Sequence, residues 1–136
     1  MNRVQCSEQE QKPRVRTDDQ LFDFERLKVY QAALNFLDHI LDISQQLPRE
    51  LQSSLGDQLR RAVLSISNNL AEGSGKRSSR EKTRYYCTAS DSTRECLSML
   101  NVLQRRRLLS PEQFDMIRRQ GREITGMIHG LLNSVS

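Results

Sequence analysis

The fold is decided by the stretch LAEGSGKRSSRE at residues 70–81, because it contains the end of one helix and the start of the next. Gly73 or Gly75 is expected to end the first of these helices in the left-handed conformation, which glycine adopts without steric cost. Ser78 and Glu81 have the spacing of a capping box, in which each side chain bonds to the backbone N–H of the other. A turn this short predicts that the two helices on either side of it lie antiparallel.

Towards the N-terminus, apolar residues recur at three- and four-residue intervals in two further segments. Residues 51–70 form one narrow apolar stripe and predict the second helix. Pro48 separates that helix from a first one, which is expected to begin near Asp23 as its N-cap. Residues 1–21 have no apolar periodicity and contain Pro13, so we expect them to form a flexible arm.

Towards the C-terminus, the same periodicity predicts a third helix whose inner side runs from Tyr85 to Leu103. Ser110, Pro111 and Gln113 have the order of an N-cap, a first-turn proline and a capping glutamine, which predicts the start of a fourth helix. Short connections between four helices favour an all-α, antiparallel up-down-up-down four-helix bundle over residues 22–136.

The composition is consistent with one small globular domain. The chain has 136 residues, 36% apolar and 28% charged, with three prolines and no tryptophan, a mixture that favours helices over an all-β fold. No apolar run approaches the roughly 20 residues of a membrane span, and the N-terminus lacks the apolar core of a secretory signal. Three cysteines without CxxC spacing argue against a disulfide framework. We therefore expect a cytoplasmic protein with no membrane partner.

The first helix carries more apolar surface than a single bundle needs. Two interleaved series of apolar residues together cover about 200° of its circumference. The surplus predicts an oligomer, and we assign the interface to members of one series, Val29, Phe36, Ile40 and Ile43. The alternative is that the N-terminal arm folds over this surface.

No constellation of residues indicates catalysis. The histidines, His39 and His129, lack the Glu-x-x-His pattern of di-iron bundles, and His39 is expected on the polar side of the first helix. The segment at residues 73–76, Gly-Ser-Gly-Lys, is slightly similar to a phosphate-binding loop but follows a helix, so a helix-ending loop is favoured. The sequence therefore predicts no enzyme, no cofactor and no metal site. A half-buried ion-pair network is expected among Arg61, Glu72, Arg94 and Glu95.

The basic residues are concentrated in the middle of the chain. Residues 60–122 contain fourteen basic and six acidic side chains, a net charge of +8, whereas residues 1–59 carry −3. Arginine binds phosphate through two parallel hydrogen bonds, so the cluster indicates binding to a nucleic-acid backbone. The alternative is a well-solvated helical surface. The predicted nucleic-acid contacts are Arg60, Arg61, Lys76, Arg77, Arg105, Arg106, Arg107, Arg118, Arg119 and Arg122.

Three segments resemble one bacterial family of four-helix bundles: FERLKVYQ at residues 24–31, LRRA at 59–62 and NLAEGSGKR at 69–77. The family includes proteins encoded in intervening sequences of large-subunit ribosomal RNA genes. It also includes relatives of the accessory variability determinant of diversity-generating retroelements. The resemblance implies a homopentamer around a central channel, nucleic-acid binding through basic surfaces, and no known catalysis. In the retroelement branch it also implies contact with a reverse transcriptase.

These observations lead to two functional hypotheses. The first is a non-enzymatic, basic, oligomeric accessory protein that binds RNA or DNA. The second is a scaffold for protein–protein interactions, whose basic groups serve only solubility and which binds no nucleic acid physiologically. The first rests on the charged middle segment and on the resemblance, and the second on the wide apolar surface of the first helix.

Overall fold

The computed structural model describes residues 20–135, which form four α-helices and no β-strand. The helices are α1 (Lys28–Gln45), α2 (Asp57–Ser74), α3 (Ser79–Arg105) and α4 (Pro111–Val135). Each helix packs against its neighbours in the chain, and α1 also packs against α4, which closes the bundle. The predicted four-helix architecture is thus confirmed. The predicted arm at residues 1–21 lies almost wholly outside the described residues.

The interior of the bundle is formed by the apolar stripes of all four helices. Its largest fully buried side chains include Leu59, Ile66, Leu100, Ile117 and Ile124. Burying a side chain of this size stabilises the folded state by about 1.5–3 kcal/mol relative to leaving it exposed. These stripes therefore account for the assembly of the bundle.

The assignment of an oligomer interface to Val29, Phe36, Ile40 and Ile43 is wrong. Their side chains are only 3%, 0%, 0% and 4% exposed in a single chain, because the other three helices already cover them. Helical periodicity identified two apolar series on α1 but gave no information about which one faces the interior. The other series, which includes Leu34, Leu37 and Leu41, is half-buried and reaches the surface.

Two of the predicted helix starts are present. At the start of α3, Ser78 Oγ accepts a hydrogen bond from the Glu81 backbone N–H over 3.1 Å. At the start of α4, Ser110 Oγ accepts from the Gln113 N–H and Gln113 Oε1 accepts from the Ser110 N–H, each over 3.1 Å. The capping box at α4 is therefore complete, whereas at α3 only the half in which the serine accepts is formed. Each bond satisfies a backbone group that has no partner within the helix.

The start of α1 differs from the prediction. A 3₁₀ turn, Asp23–Arg26, precedes the helix, and α1 begins only at Lys28. Glu25 Oε1 accepts the Phe22 N–H over 3.0 Å, while Asp23 forms an ion pair with Arg26 over 3.7 Å instead of capping the helix. The acidic residues therefore stabilise the turn and not the first turn of α1.

The end of α2 also differs, because Gly75 has φ −86° and no glycine among the described residues has a positive φ. The ammonium of Lys82 instead donates to the carbonyl oxygens of Gly73 and Ser74, over 3.4 Å and 3.0 Å. A cation at a helix C-terminus satisfies carbonyls that lack partners and interacts favourably with the helix dipole.

Close contact between α2 and α3 explains the glycine and small polar residues in the segment at 69–77. A Cβ atom on Gly73 would lie 2.7 Å from Tyr86 Cε1, so the position has no room for a side chain. Further along, the hydroxyls of Ser65 and Ser92 are hydrogen-bonded at 2.8 Å, and Asn69 Nδ2 donates to Ser65 Oγ over 3.0 Å. Small residues let the two helices approach, and the hydroxyl bonds satisfy polar groups in the contact.

Candidate functional site

The outer side of α3 presents a row of cations. Arg80, Arg94 and Arg105 are separated by fourteen and eleven residues, whole numbers of helical turns to within about 40°, so they lie along one ridge. All three are exposed, and the nearest carboxylate of the same ridge is that of Asp91, between Arg80 and Arg94. Arg94 was not among the predicted binding residues, although its spacing from Arg105 was a signal that could have identified it.

The ridge borders a groove in which α3 and α4 touch closely. A Cβ atom on Gly121 would lie 2.6 Å from Leu97 Cδ2, which shows how near the two helices come. Helical spacing from this contact places Arg118 and Arg122 on the side of α4 that faces α3, opposite Arg94. Arg118 lies over the Phe114 ring, 6.0 Å from its centroid, and this contact orients the guanidinium.

Arg105, Arg106 and Arg107 extend this surface to the end of the bundle. The Leu108 N–H donates to the Leu103 carbonyl over 2.9 Å and the Arg107 N–H to the Gln104 carbonyl over 3.0 Å. This pair of bonds is the Schellman motif, whose left-handed residue is usually glycine. Here it is Arg107, with φ 60°. Arg107 therefore occupies a position whose left-handed backbone conformation favours glycine, the residue without a side chain.

Seven exposed arginines thus lie on the second half of α3, on α4 and in the turn between them, and none of them forms an ion pair with another residue in the range 20–135. Residues 94–122 hold these seven arginines against three carboxylates, a net charge of +4, whereas residues 20–59 hold three basic and six acidic groups, −3. The segment at 94–122, which ends α3 and begins α4, is therefore basic, whereas the segment at 20–59, which contains α1 and the turns on either side of it, is acidic. The basic face consists of Arg94, Arg105, Arg106, Arg107, Arg118, Arg119 and Arg122.

Arg60, another of the predicted nucleic-acid contacts, does not belong to this surface. Its guanidinium donates to Asp57 Oδ1 over 2.7 Å, to the Gln52 backbone oxygen over 2.9 Å, to Gln52 Oε1 over 3.2 Å and to Ser44 Oγ over 3.3 Å. Gln52 lies in a π-helical turn, Gln52–Gly56, between α1 and α2. Both terminal nitrogens of Arg60 are therefore engaged within the protein and hold this connection in place.

The remaining predicted contacts lie away from the basic face. Arg61 is exposed on α2, and Arg77 is exposed in the turn between α2 and α3, at the opposite end from Arg105. Lys76 lies in the same turn and is half-buried. Its ammonium is 3.7 Å from Glu72 Oε1 and 5.2 Å from the centroid of the Tyr85 ring. Lys76 is thus largely engaged within the protein.

The predicted ion-pair network is not formed. Glu72 pairs with Lys76, whereas Arg61, Arg94 and Glu95 are exposed and form no ion pair within the described part of the chain. These side chains lie in water, where a pair gains little and loses side-chain entropy, so nothing requires them to associate. The absence of the network leaves Arg94 available to the basic face.

His39 and Cys96, whose side chains are of types that often take part in catalysis or metal binding, are held inside the fold. His39 is half-buried, and its Nδ1 is hydrogen-bonded to Gln120 Oε1 at 3.1 Å, so it joins α1 to α4 and is not the surface residue that was predicted. Burial, with a smaller contribution from Glu95, raises the pKa of the Cys96 thiol to about 12, which keeps it protonated and unreactive.

Among residues 20–135 no group of histidine, cysteine and carboxylate side chains could hold a metal ion. Within the same range, no helix has the length and apolar character to span a bilayer.

Comparison with known proteins gives a family match and a match of fold. Residues 25–130 match the family model described as 23S rRNA-intervening sequence protein. A crystal structure of a protein of unknown function from the S23 ribosomal protein family of Bacteroides thetaiotaomicron superposes with a TM-score of 0.71 at 22% sequence identity. The match covers 77% of this chain and 95% of that one, and it shows a shared fold. No protein with curated annotation matches the sequence.

Proposed function

Because the chain belongs to the family of 23S rRNA-intervening sequence proteins, whose members are linked to a ribosomal RNA insertion, we propose that it is a non-enzymatic protein that binds the phosphate backbone of RNA or DNA. The observation that supports this proposal is the basic face, with seven exposed guanidinium groups that lack carboxylate partners among residues 20–135. Arginine in this state offers planar, paired donors to phosphate oxygens without first breaking an ion pair.

The strained backbone at Arg107 supports the same proposal. A non-glycine residue in the left-handed region costs about 1 kcal/mol, and residues of this kind concentrate where function needs them. Three consecutive arginines at the end of α3 also interact favourably with the dipole of that helix. This interaction does not require an arginine in the left-handed conformation, and it does not require Arg118 and Arg122 across the groove.

The test is nucleic-acid binding as a function of salt concentration for two double variants of equal charge. Arg118→Gln with Arg122→Gln removes two cations from the basic face, whereas Lys28→Gln with Arg49→Gln removes two exposed cations from elsewhere. Each lost phosphate contact lowers the log–log salt slope by about 0.7 on a single strand and about 0.9 on a duplex. The first variant should therefore lose about 1.4 to 1.8 units of slope, or about 25- to 60-fold in affinity when slopes are extrapolated from 1 M to 0.1 M salt.

The Lys28/Arg49 variant should keep its affinity within about threefold, because those cations lie outside the proposed contacts. Equal losses in both variants would mean that net charge, and not this face, governs binding. Absence of salt-dependent binding by the unmodified protein would remove the proposed function altogether.

We also propose that copies of the chain assemble, as the homopentamer implied by the family resemblance, through a surface other than the one first assigned. Leu34, Leu37 and Leu41 of α1 are half-buried, and Leu64 of α2 is 45% exposed. Helical spacing from the Ser44–Arg60 contact brings these residues together along the outer side of α1 and α2. Since the bundle closes in the order of the chain, this apolar strip lies opposite the basic face, which assembly would leave exposed.

A protein-binding role is the second candidate, and the exposure of Leu64 and Val102, at 45% and 42%, is the observation that favours it. Under this proposal a partner, such as the reverse transcriptase implied by the retroelement branch of the resemblance, covers these side chains. Recovery of one specific partner with the nuclease-treated protein, and its loss on Val102→Asp, would support this role over nucleic-acid binding.

A further inference from the structure

We infer that the basic face binds double-helical nucleic acid in preference to a single strand of the same length and sequence. The inference rests on the proposed function and names the form of nucleic acid that the surface accepts. It follows from the positions of the aromatic rings, because proteins that hold single strands stack the unpaired bases on exposed aromatic side chains beside their cations.

The chain has few aromatic residues, and all of them are within the described range. There is no tryptophan, and the four phenylalanines and three tyrosines all lie between positions 22 and 114. Phe36 and Tyr86 are buried, at 0% and 3% exposure. The remaining five are the phenylalanine and tyrosine rings on which this chain could stack a base, beside the exposed imidazole of His129 on α4.

The two partly exposed rings on α3 and α4 already have cations over them. The Tyr85 ring centroid lies 4.7 Å from the Arg84 guanidinium and 5.2 Å from Lys76 Nζ. Phe114 packs against the core and has the Arg118 guanidinium 6.0 Å from its centroid. A base could stack on either ring only by displacing a cation that already lies over it.

The last three rings stack on one another at the start of α1. Phe22 and Phe24 are parallel with centroids 5.8 Å apart, and Tyr30 meets Phe24 edge-on at 4.9 Å. Phe22 is 70% exposed, but the carboxylate of its neighbour Asp23 is 80% exposed as well, which repels a phosphate chain. This cluster is in the acidic segment at 20–59 and is not interleaved with the basic face.

The shape of the basic face also suits a double helix. Its cations lie on the exposed surface of two helices, and not in a channel that encloses a flexible strand. Helix α3 has 27 residues and is therefore about 40 Å long, comparable to about twelve base pairs at 3.4 Å each. A duplex presents two phosphate strands at fixed spacing to such a surface, whereas a single strand must lose conformational entropy without gaining base stacking.

The experiment compares labelled probes of about 20 base pairs, which exceed the length of α3. The probes are an RNA duplex, a DNA duplex of the same sequence and the corresponding single strands, chosen not to self-pair. If about five phosphates are neutralised, the log–log salt slopes for the duplex and the single strand differ by about one unit. Extrapolated from 1 M to 0.1 M salt, this difference means that each duplex should bind about tenfold more tightly than its single strand. The RNA and DNA arms show which duplex the protein favours.

The variant Phe22→Ser provides a second readout, because it removes the one phenylalanine or tyrosine ring with a largely exposed face. Affinity for single strands should stay within about threefold, since the inference assigns no stacking to this ring. Single strands that bind as tightly as duplexes, or that lose affinity selectively on Phe22→Ser, would overturn the inference while leaving backbone binding intact. If no probe shows salt-dependent binding, both the inference and the proposed function are contradicted.

Discussion

At the scale of single residues, Arg107 is the position at which an added positive charge on the basic face costs folding stability. Its φ of 60° lies in the region that glycine adopts freely, and the Schellman hydrogen bonds fix that conformation. A sequence optimised for stability alone would have glycine at this position. The arginine is consistent with a requirement for positive charge at the end of α3.

The variant Arg107→Gly should therefore be more stable and bind nucleic acid less tightly. We expect the free energy of unfolding to rise by about 0.5–1 kcal/mol, as the left-handed strain is relieved, and the salt slope to fall by just under one unit. Guanidinium chloride unfolding and probe titration measure the two effects.

The matched control is Arg106→Gly, which removes the same charge from a residue with φ −84°. Its binding should fall similarly, but its stability should not rise, because no left-handed strain is removed. A gain in stability in both variants would contradict the explanation from backbone strain.

Neighbouring arginines show why site residues could be predicted only in part. Arg60 and Arg61 are identical in type and adjacent in sequence, yet they point about 100° apart on α2. One is surrounded by Ser44, Gln52 and Asp57, and the other is exposed. Gln52 lies in a π-helical turn that no sequence pattern indicated, and Ser44 comes from α1, so the sequence showed an available charge where the structure has an internal one.

At the scale of elements, the contact between α2 and α3 depends on Gly73. A Cβ atom at this position would lie 2.7 Å from Tyr86 Cε1 and 3.1 Å from Tyr85 Cβ, a backbone-proximal atom that cannot move away easily. We expect Gly73→Ala to lower the free energy of unfolding by about 1–3 kcal/mol, because the helices must separate to accept the methyl group. Chemical denaturation measures this change.

Gly126 provides the control for this substitution. It also lies inside a helix, α4, but a Cβ atom added there would have no neighbouring atom within 4 Å outside its own helix backbone. Gly126→Ala should raise the free energy of unfolding by about 0.4–1 kcal/mol, since alanine has the higher helix propensity. If Gly73→Ala also stabilised the protein, close packing at Tyr86 would be refuted.

The helix boundaries that could be predicted are those defined by local chemistry. The starts of α3 and α4 depend on a serine and a residue three positions later, and both appear where expected. At the start of α1 the acidic side chains could either cap the helix or close a 3₁₀ turn. Glu25 accepts the Phe22 N–H and so closes the turn. The inner side of α1 depends on three other helices, so its sequence alone could not determine it.

At the scale of the whole molecule, the inner and outer apolar surfaces of α1 and α2 have different roles that mutation can separate. Phe36→Asp places a carboxylate at a position with 0% exposure and should abolish folding, whatever the oligomeric state. Leu64→Asp alters a side chain that is 45% exposed and should leave the helical content of the subunit nearly unchanged.

If copies pack through the outer side of α1 and α2, Leu64→Asp should reduce the sedimenting species towards the mass of one chain, 15.8 kDa. Circular dichroism of the same samples verifies that the subunit remains folded. An unmodified protein that already sediments as a single chain, or an assembly that is unaffected by the aspartate, would exclude this strip as an interface.

The opposite net charges of the segments at 20–59 and 94–122 give the molecule a permanent dipole moment. A net charge of only +4 therefore understates how strongly the molecule responds to a charged surface. On a sulfonate-bearing chromatography resin or a mica surface, molecules should adsorb in one orientation, with α1 directed towards the solution. Retention on such a resin should then depend on where a substitution lies as well as on how much charge it removes.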